Sequence, residues 1–176
     1  MPVQIDTPSD VGAGLGWALY GSSTTPANKM QAVATNDGDA SIIYAATGGA
    51  TLNQLFQFPE IVGATDPVTA ASLTAVTREY LKGGGGRLYY VLWNSVQVGT
   101  NRQQEVHLAA PDYVTVTFAA AGAQLALAVV NGEHGVSFAA AGGPSNKAEY
   151  WVTQIYRTVD YSPVGGAVGD FAWLIG

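Results

Sequence analysis

The run from Tyr150 to Tyr161 constrains the fold more than any other part of the sequence. It contains twelve residues rich in aromatic and β-branched types, has no glycine, and is closed by Ser162 and Pro163. Aromatic and β-branched residues favour extended structure, and a proline at the end of the run favours termination. We therefore predict one long strand here, in the centre of a β-sheet.

Short strand-like runs recur along the chain at a spacing of about ten residues, as in sandwiches and jelly rolls. Turn sequences rich in Gly, Asn, Asp and Pro separate them. The predicted strands are residues 31–35, 40–45, 52–58, 72–80, 87–93, 103–108, 113–118, 135–140 and 149–160. One short helix is predicted over residues 123–130, because Asn131 and Gly132 stop it. We expect an all-β fold, an antiparallel β-sandwich of jelly-roll type with one short helix.

The two ends of the chain differ from its middle. Residues 1–33 contain scattered glycines and a Ser-Thr cluster around one short apolar piece, Trp17–Tyr20, so we predict an extended N-terminal arm. Residues 34–163 form the predicted sandwich domain. Residues 164–176 form a C-terminal tail that begins with glycines and ends in an apolar cluster. This cluster is predicted to dock either on its own sandwich as an edge strand or on a neighbouring subunit.

Apolar residues in both ends and in the run Arg87–Trp93 are candidates for subunit contacts. In that run, apolar and aromatic side chains alternate onto both faces. This pattern favours a strand covered on both sides, either a central strand or a subunit contact. The interface candidates are Trp17, Tyr20, Tyr89, Val91, Trp93, Phe171, Trp173, Leu174 and Ile175.

The scarcity of charge limits the partners of the chain. Charged residues make up 11% of the sequence, against about 25% in an average globular protein. A surface covered by other subunits would explain this, and so would an alanine- and glycine-rich host proteome. The net charge is −6 and the seven basic residues stand singly, so we expect no nucleic-acid partner.

No targeting or membrane signal is visible in the sequence. The N-terminus has neither the basic nor the apolar region of a signal peptide, and no run of 18 apolar residues occurs. We expect no membrane partner and a soluble product of the host cytoplasm that begins at its own initiator Met.

Residues that carry chemistry are few. The chain has no cysteine, and its two histidines, His107 and His134, lie in no catalytic or zinc-binding motif, so we expect both on the surface. The oxygens of Asn36–Asp39 would suit calcium, but the distal Glu of an EF-hand is missing and a plain turn is favoured. The glycines of residues 83–86 lack the Lys of a phosphate loop and predict a hairpin loop. We expect no enzyme activity, no cofactor and no metal.

Aromatic residues suggest a second class of function. A platform of aromatic rings can stack on sugars, although packing in cores and interfaces is the commoner use. The candidate platform residues are Tyr89, Trp93, Trp151, Tyr156, Tyr161 and Trp173. They predict a carbohydrate-binding module as an alternative function.

Three blocks of sequence carry a resemblance to a known family. They are residues 36–43 with 55–59, residues 123–131 with 135–138, and residues 152–156 with 160–163. In this order they resemble a jelly-roll accessory domain in structural proteins of tailed-phage virions. The Trp usual in that family at the start of the helix is replaced here by Gln124.

The resemblance implies a virion role. Such domains decorate or cement the capsid, or build neck, tail and fibre appendages. Our main expectation is a capsid cement protein on the outer surface of the virion, which binds the major capsid protein or other virion proteins and bridges capsid subunits. By analogy to three-fold decoration sites, a homo-oligomer is expected, with a trimer favoured. The alternatives are a neck, tail or fibre subunit, or a carbohydrate-binding module for host attachment.

Overall fold

The structure, a computed structural model, describes residues 2–14, 17–21, 29–38, 40–47, 51–81, 87–94, 96–97, 102–104, 112–139 and 148–165. The described residues form twelve strands and two short α-helices. The strands are β1 (Val3–Asp6), β2 (Asp10–Gly14), β3 (Ala18–Gly21), β4 (Ser41–Thr47), β5 (Thr51–Gln57), β6 (Ala70–Leu81), β7 (Arg87–Asn94), β8 (Val96–Gln97), β9 (Arg102–Gln104), β10 (Val114–Ala119), β11 (Glu133–Ala139) and β12 (Ala148–Asp160). The helices are α1 (Lys29–Ala32) and α2 (Leu127–Val130), and a 3₁₀ helix, Gly122–Leu125, precedes α2.

The described strands form two six-stranded antiparallel sheets. Sheet 1 has the order β10-β6-β12-β4-β3, with β1 also paired to β12, and sheet 2 has the order β2-β5-β11-β7-β8, with β9 also paired to β7. From β4 to β7, and again from β10 to β12, successive strands alternate between the sheets. The paths β4-β12-β6-β10 and β5-β11-β7-β9 have the strand order of a jelly roll. The predicted antiparallel sandwich of jelly-roll type is therefore confirmed.

The main core lies between the two sheets. β12 contributes Tyr150, Val152 and Ile155, and sheet 2 contributes Phe56 and Val136, all with no solvent exposure. Burial of one such side chain contributes about 1.5–3 kcal/mol. β12 lies between β6 on one side and β4 and β1 on the other, so it is the long central strand that its sequence predicts.

A β-bulge interrupts β12 at Thr153. Val152 pairs with Thr77, but Gln154 pairs with the next residue of β6, Val76, so Thr153 is an extra residue on β12. One extra residue reverses the alternation of side chains between the two faces of a strand. The faces of β12 are therefore exchanged beyond Thr153 relative to a regular strand.

The turn before β4 anchors the bulge. The buried Thr153 Oγ1 lies 3.2 Å from Asp37 Oδ1 and 3.4 Å from Ser41 O, both acceptors. Asp37 Oδ1 also accepts the Ser41 N–H at 3.1 Å, and Gly38 follows with a φ of +67°. Asp37 thus anchors the turn before β4.

The N-terminal region is not an arm in the described residues. β1 pairs with β12, β2 with β5, and β3 with β4. Residues 31–35, predicted as a strand, instead contain the end of α1 and a turn, from which Val33 O accepts the Ile155 N–H at 2.9 Å. The physical reason is that the edges of β12, β4 and β5 carry main-chain groups that need partners, and the N-terminal segments supply them.

Candidate functional site

The outer face of sheet 1 collects aromatic, hydroxyl and amide side chains. Because Tyr150, Val152 and Ile155 point into the core, Trp151 points outward before the bulge and Tyr156 points outward after it. Register places further residues of β4, β6 and β10 on the same face. Among the residues of this outer face are Tyr44, Thr74, Arg78, Thr115, Thr117, Trp151, Gln154, Tyr156 and Thr158.

Arg78 lies between two aromatic rings at one end of the outer face. Its Cζ is 4.4 Å from the ring centroid of Trp151 and 4.9 Å from that of Tyr113. Cation–π contacts of this kind contribute about 0.5–2 kcal/mol each. The Trp151 indole N–H donates to Glu149 Oε1, so a carboxylate also holds the indole. We name these four residues the Arg78 cluster.

The Arg78 cluster is well packed although it lies outside the core. Trp151 is only 6% exposed, whereas Arg78, Tyr113 and Glu149 are half-buried. The Tyr113 hydroxyl donates to Gly38 O at 3.3 Å, which ties the cluster to the Asp37 turn. The guanidinium of the half-buried Arg78 is therefore held in one orientation.

Polar side chains continue the outer face beyond the cluster. Thr115 and Thr117 are exposed, and Gln154 and Tyr156 are half-buried. The hydroxyls of Thr74 and Thr117 lie 3.0 Å apart and share a hydrogen bond. The face thus presents rows of hydrogen-bonding groups on adjacent strands.

A buried polar centre lies on the inner side of sheet 1. Arg157 is fully buried and its Nη2 is 2.6 Å from Asp6 Oδ2. Its Nη1 donates to Val130 O at 2.7 Å, and Nη2 also donates to Pro59 O. The guanidinium lies 5.1 Å from the ring centroid of Phe58. Since Arg157 has no solvent exposure and Asp6 is only 8% exposed, the role of this ion pair is structural.

His134 belongs to this buried centre, and the prediction of a surface histidine is wrong. It lies on β11 with no solvent exposure, because it shares the core-facing side of that strand with Val136, two residues further on. His134 Nε2 donates to Val130 O at 2.7 Å, and its ring meets Phe58 edge-on at 5.7 Å. The pKa of His134 is lowered from 6.5 to about 4, chiefly by burial and also by the positive charge of Arg157, against the opposing effect of the Val130 hydrogen bond.

This pKa predicts an acid-sensitive fold. Between pH 6.5 and about 4 the unfolded chain binds a proton on His134 that the folded chain does not. The free energy of unfolding therefore falls as the pH falls through this window, by about 2 kcal/mol between pH 7 and about pH 5. Urea denaturation at the two pH values measures the fall. In His134→Gln most of it should disappear, and an unchanged pH dependence in this variant would contradict the assignment.

The structure describes only some of the predicted interface residues. Trp17, predicted to face a neighbouring subunit, is instead 3% exposed in the core of its own chain, where its indole N–H donates to Leu52 O at 3.0 Å. The reason is that β3 pairs with β4 and carries the preceding Trp17 over the sandwich. The side chains of Tyr20, Tyr89, Val91 and Trp93 lie outside the described part, as do Phe171, Trp173, Leu174 and Ile175 entirely.

The backbone of β7 is described even though its side chains are not. β7 pairs with β11 along one edge and with β8 and β9 along the other. The sequence left two alternatives open for this run, a central strand or a subunit contact. The pairing shows that β7 has an interior position in sheet 2. Its role in a subunit contact stays a prediction.

The proposed aromatic platform is only partly assembled. Trp151 and Tyr156 share the outer face of sheet 1, whereas Tyr161 packs against a second core cluster around Ile61 and Val159. Sequence reasoning missed Arg78, Tyr113 and the Asp6–Arg157 pair. The visible signal was an arginine within each of two strongly β-prone runs, where a charge needs a partner.

Two kinds of feature are absent from the described residues, a membrane-spanning helix and a cluster of metal ligands. No helix there has the length and apolar character needed to cross a membrane. Within the same ranges, no three His, Asp or Glu side chains come together as metal ligands. His107 and the glycines of residues 83–86 lie outside those ranges.

Similarity to known proteins is found among solved structures. No protein-family model and no curated protein matches the sequence. The xylan-binding module CBM15 is 14% identical, with a TM-score of 0.49, over 89% of this chain and 99% of that chain. A carbohydrate-binding module of Cellvibrio mixtus lichenase 5A, solved with cellotriose, is 11% identical, with a TM-score of 0.42, over 92% and 100% of the two chains.

A third similar structure is an enzyme. The Stig cyclase Fisc from Fischerella sp. TAU is 15% identical, with a TM-score of 0.43, over 93% of this chain and 89% of that chain. At these identities and TM-scores, the similarities carry no argument about function. The resemblance to the phage accessory domain stays a prediction.

Proposed function

We propose that this protein is a non-enzymatic carbohydrate-binding module, which takes an oligosaccharide across the outer face of sheet 1. The observation that carries the proposal is the Arg78 guanidinium, held between the rings of Trp151 and Tyr113 at 4.4 and 4.9 Å. Because the sequence resembles structural proteins of tailed-phage virions, we propose that the module attaches a phage to its host.

The chemistry of the outer face supports a hydroxyl-rich ligand. A sugar chain offers many donors and acceptors but no charge, and the face supplies guanidinium, hydroxyl and amide groups in return. Thr115 and Thr117 are open to solvent, and Gln154 and Tyr156 are partly open. Adjacent strands are about 4.8 Å apart, so these groups recur at intervals across the face.

The rigidity of the face supports binding as well. The groups stand on β6, β10 and β12, which lie side by side in sheet 1. Arg78 is fixed by two rings, and Thr74 and Thr117 are fixed by a mutual hydrogen bond of 3.0 Å. A site that is ordered before binding loses less conformational entropy when the ligand arrives.

Glycan-array screening followed by titration tests the proposal. We expect Arg78→Gln and Tyr156→Ala each to weaken binding of the selected glycan at least about tenfold, equal to about 1.4 kcal/mol. The matched control is Gln57→Ala, which removes an exposed polar side chain from β5 in sheet 2 and should bind as the wild type does. Equal thermal midpoints must show that all variants are folded.

A structural role in the virion, as cement or as a neck, tail or fibre subunit, is the second candidate. It is favoured by the exposed apolar side chains Val3, Ile5, Val62 and Val164, which are 58–78% exposed. Such residues are suited to contact with another protein. If no glycan on the array binds, or both outer-face variants bind normally, the first proposal fails. Detection of the chain in purified virions would then favour the structural role.

A further inference from the structure

β1 is a sheet edge with an unusual distribution of side chains. Val3 and Ile5 are 58% and 66% exposed, while Asp6 is 8% exposed and paired with Arg157 at 2.6 Å. The apolar residues of this strand thus face solvent and its charged residue faces inward. One edge of β1 pairs with β12, and no strand in the described part of the chain pairs with its other edge.

The main-chain groups of Val3 and Ile5 point to that open edge. The Tyr161 N–H donates to Pro2 O at 3.3 Å, so Pro2 and Tyr161 form a hydrogen-bonded pair. Such pairs alternate along an antiparallel ladder. Gln4 and Asp6 therefore bond toward β12, whereas the N–H and C=O groups of Val3 and Ile5 point away from it.

We propose that two copies of this chain associate through β1. The two strands pair antiparallel about a two-fold axis at Gln4, and the two copies of sheet 1 become one continuous sheet. This interface is independent of the proposed sugar-binding function. It is also distinct from the trimer that sequence considerations favour, because a two-fold contact joins copies in pairs.

The register centred on Gln4 allows main-chain hydrogen bonds and apolar side-chain contacts at the same time. It sets Val3 opposite Ile5 of the second copy, and Ile5 opposite its Val3. Because these are the residues whose main-chain groups point to the open edge, both pairs become hydrogen-bonded pairs, with four new hydrogen bonds. Paired residues share a face, so both apolar contacts lie on the outer face. A shift by one residue would bring Val3 and Ile5 opposite inward-facing residues.

Neither an unpaired charge nor a feature that commonly blocks exposed sheet edges opposes the contact. Asp6, the charged residue of β1, is neutralised by Arg157 within its own chain. Exposed edges are commonly blocked by Lys, Pro or a bulge, and Val3–Asp6 contains none of these. The contact is smaller than the ~1,600 Å² of a stable interface, so we expect a Kd on the order of 10–100 μM.

Sedimentation over a concentration series is the first test. We expect the wild type to shift from monomer to dimer around the stated Kd, and Ile5→Lys to weaken the dimer at least about tenfold, since a lysine on an open edge opposes strand pairing. Thr115→Lys, on the edge strand β10 of the same sheet, is the matched control and should dimerise as the wild type does.

Disulfide trapping tests the register. The chain has no cysteine, so Gln4→Cys can cross-link only to itself, and a non-hydrogen-bonded pair with Cα atoms about 4.5 Å apart permits a disulfide. We expect its dimer to form at least about tenfold faster than that of Thr115→Cys. A wild type that stays monomeric well above the expected Kd, an Ile5→Lys dimer of normal strength, or equal cross-linking rates would overturn the proposal.

Discussion

Replacement of Arg157 with Met is expected to lower the free energy of unfolding by about 3–5 kcal/mol. Arg157 is fully buried and donates to Asp6 Oδ2 at 2.6 Å and to Val130 O at 2.7 Å. Methionine fills much of the space but has no charge and no donor. The Asp6 carboxylate would then remain buried without a cation, and two carbonyl oxygens would lose a donor. Urea denaturation at neutral pH measures the loss.

A double variant separates the cost of an unpaired charge from that of lost packing. In Asp6→Leu with Arg157→Met, both charges are replaced by apolar groups, which is often neutral or stabilising for a buried pair. We expect this variant to recover most of the stability that Arg157→Met loses. If the single variant is as stable as the wild type, the ion pair does not hold β1 to the sandwich as the geometry indicates.

Substitution of Gly135 by Ala is expected to destabilise the protein by at least about 3 kcal/mol, above the usual cost of overpacking. A Cβ atom at this position would lie 1.9 Å from the carbonyl oxygen of Gln54 and 2.8 Å from Leu55 Cα. Both are main-chain atoms of β5. β11 is paired with β5 on one side and β7 on the other, so it cannot shift without breaking a ladder.

Gly12→Ala is the matched control for this substitution. Gly12 also lies on a strand of sheet 2, but the three atoms nearest to a Cβ there belong to the carboxylate end of the Glu133 side chain, at 2.7–3.1 Å. That group can rotate away, so we expect a loss below about 1 kcal/mol. Thermal unfolding of the two variants side by side gives the comparison. Equal midpoints would mean that the close approach of β11 to β5 is absent in solution.

The strands that the sequence predicts well are those whose pattern is local. The run at residues 149–160 corresponds to β12, Ala148–Asp160, and residues 87–93 correspond to β7, Arg87–Asn94. Alternation, β-branched residues and turn residues are all read over a few positions. The helix predicted at residues 123–130 is found as a 3₁₀ helix followed by α2, because Ala126 leaves the helical region with a ψ of 133°.

The candidate site depends on contacts that no local pattern contains. A regular strand would place Trp151 and Tyr156 on opposite faces, since they are five residues apart. The bulge at Thr153 brings them to one face, and this bulge is held by Asp37, 116 residues away in the chain. Arg78 likewise reaches Tyr113 and Trp151 only because β6 lies between β10 and β12.

The sequence by itself determined the period of the strands, the turns between them and hence the sandwich, because each follows from the preferences of neighbouring residues. Only the tertiary structure decided the features that depart from these local preferences. Gly-rich N-terminal segments became strands because open sheet edges needed partners, and His134 became buried because it shares the core-facing side of β11 with Val136. Asp6 and Arg157, 151 residues apart, became an ion pair because a charge enters a core only where the fold brings its counter-charge.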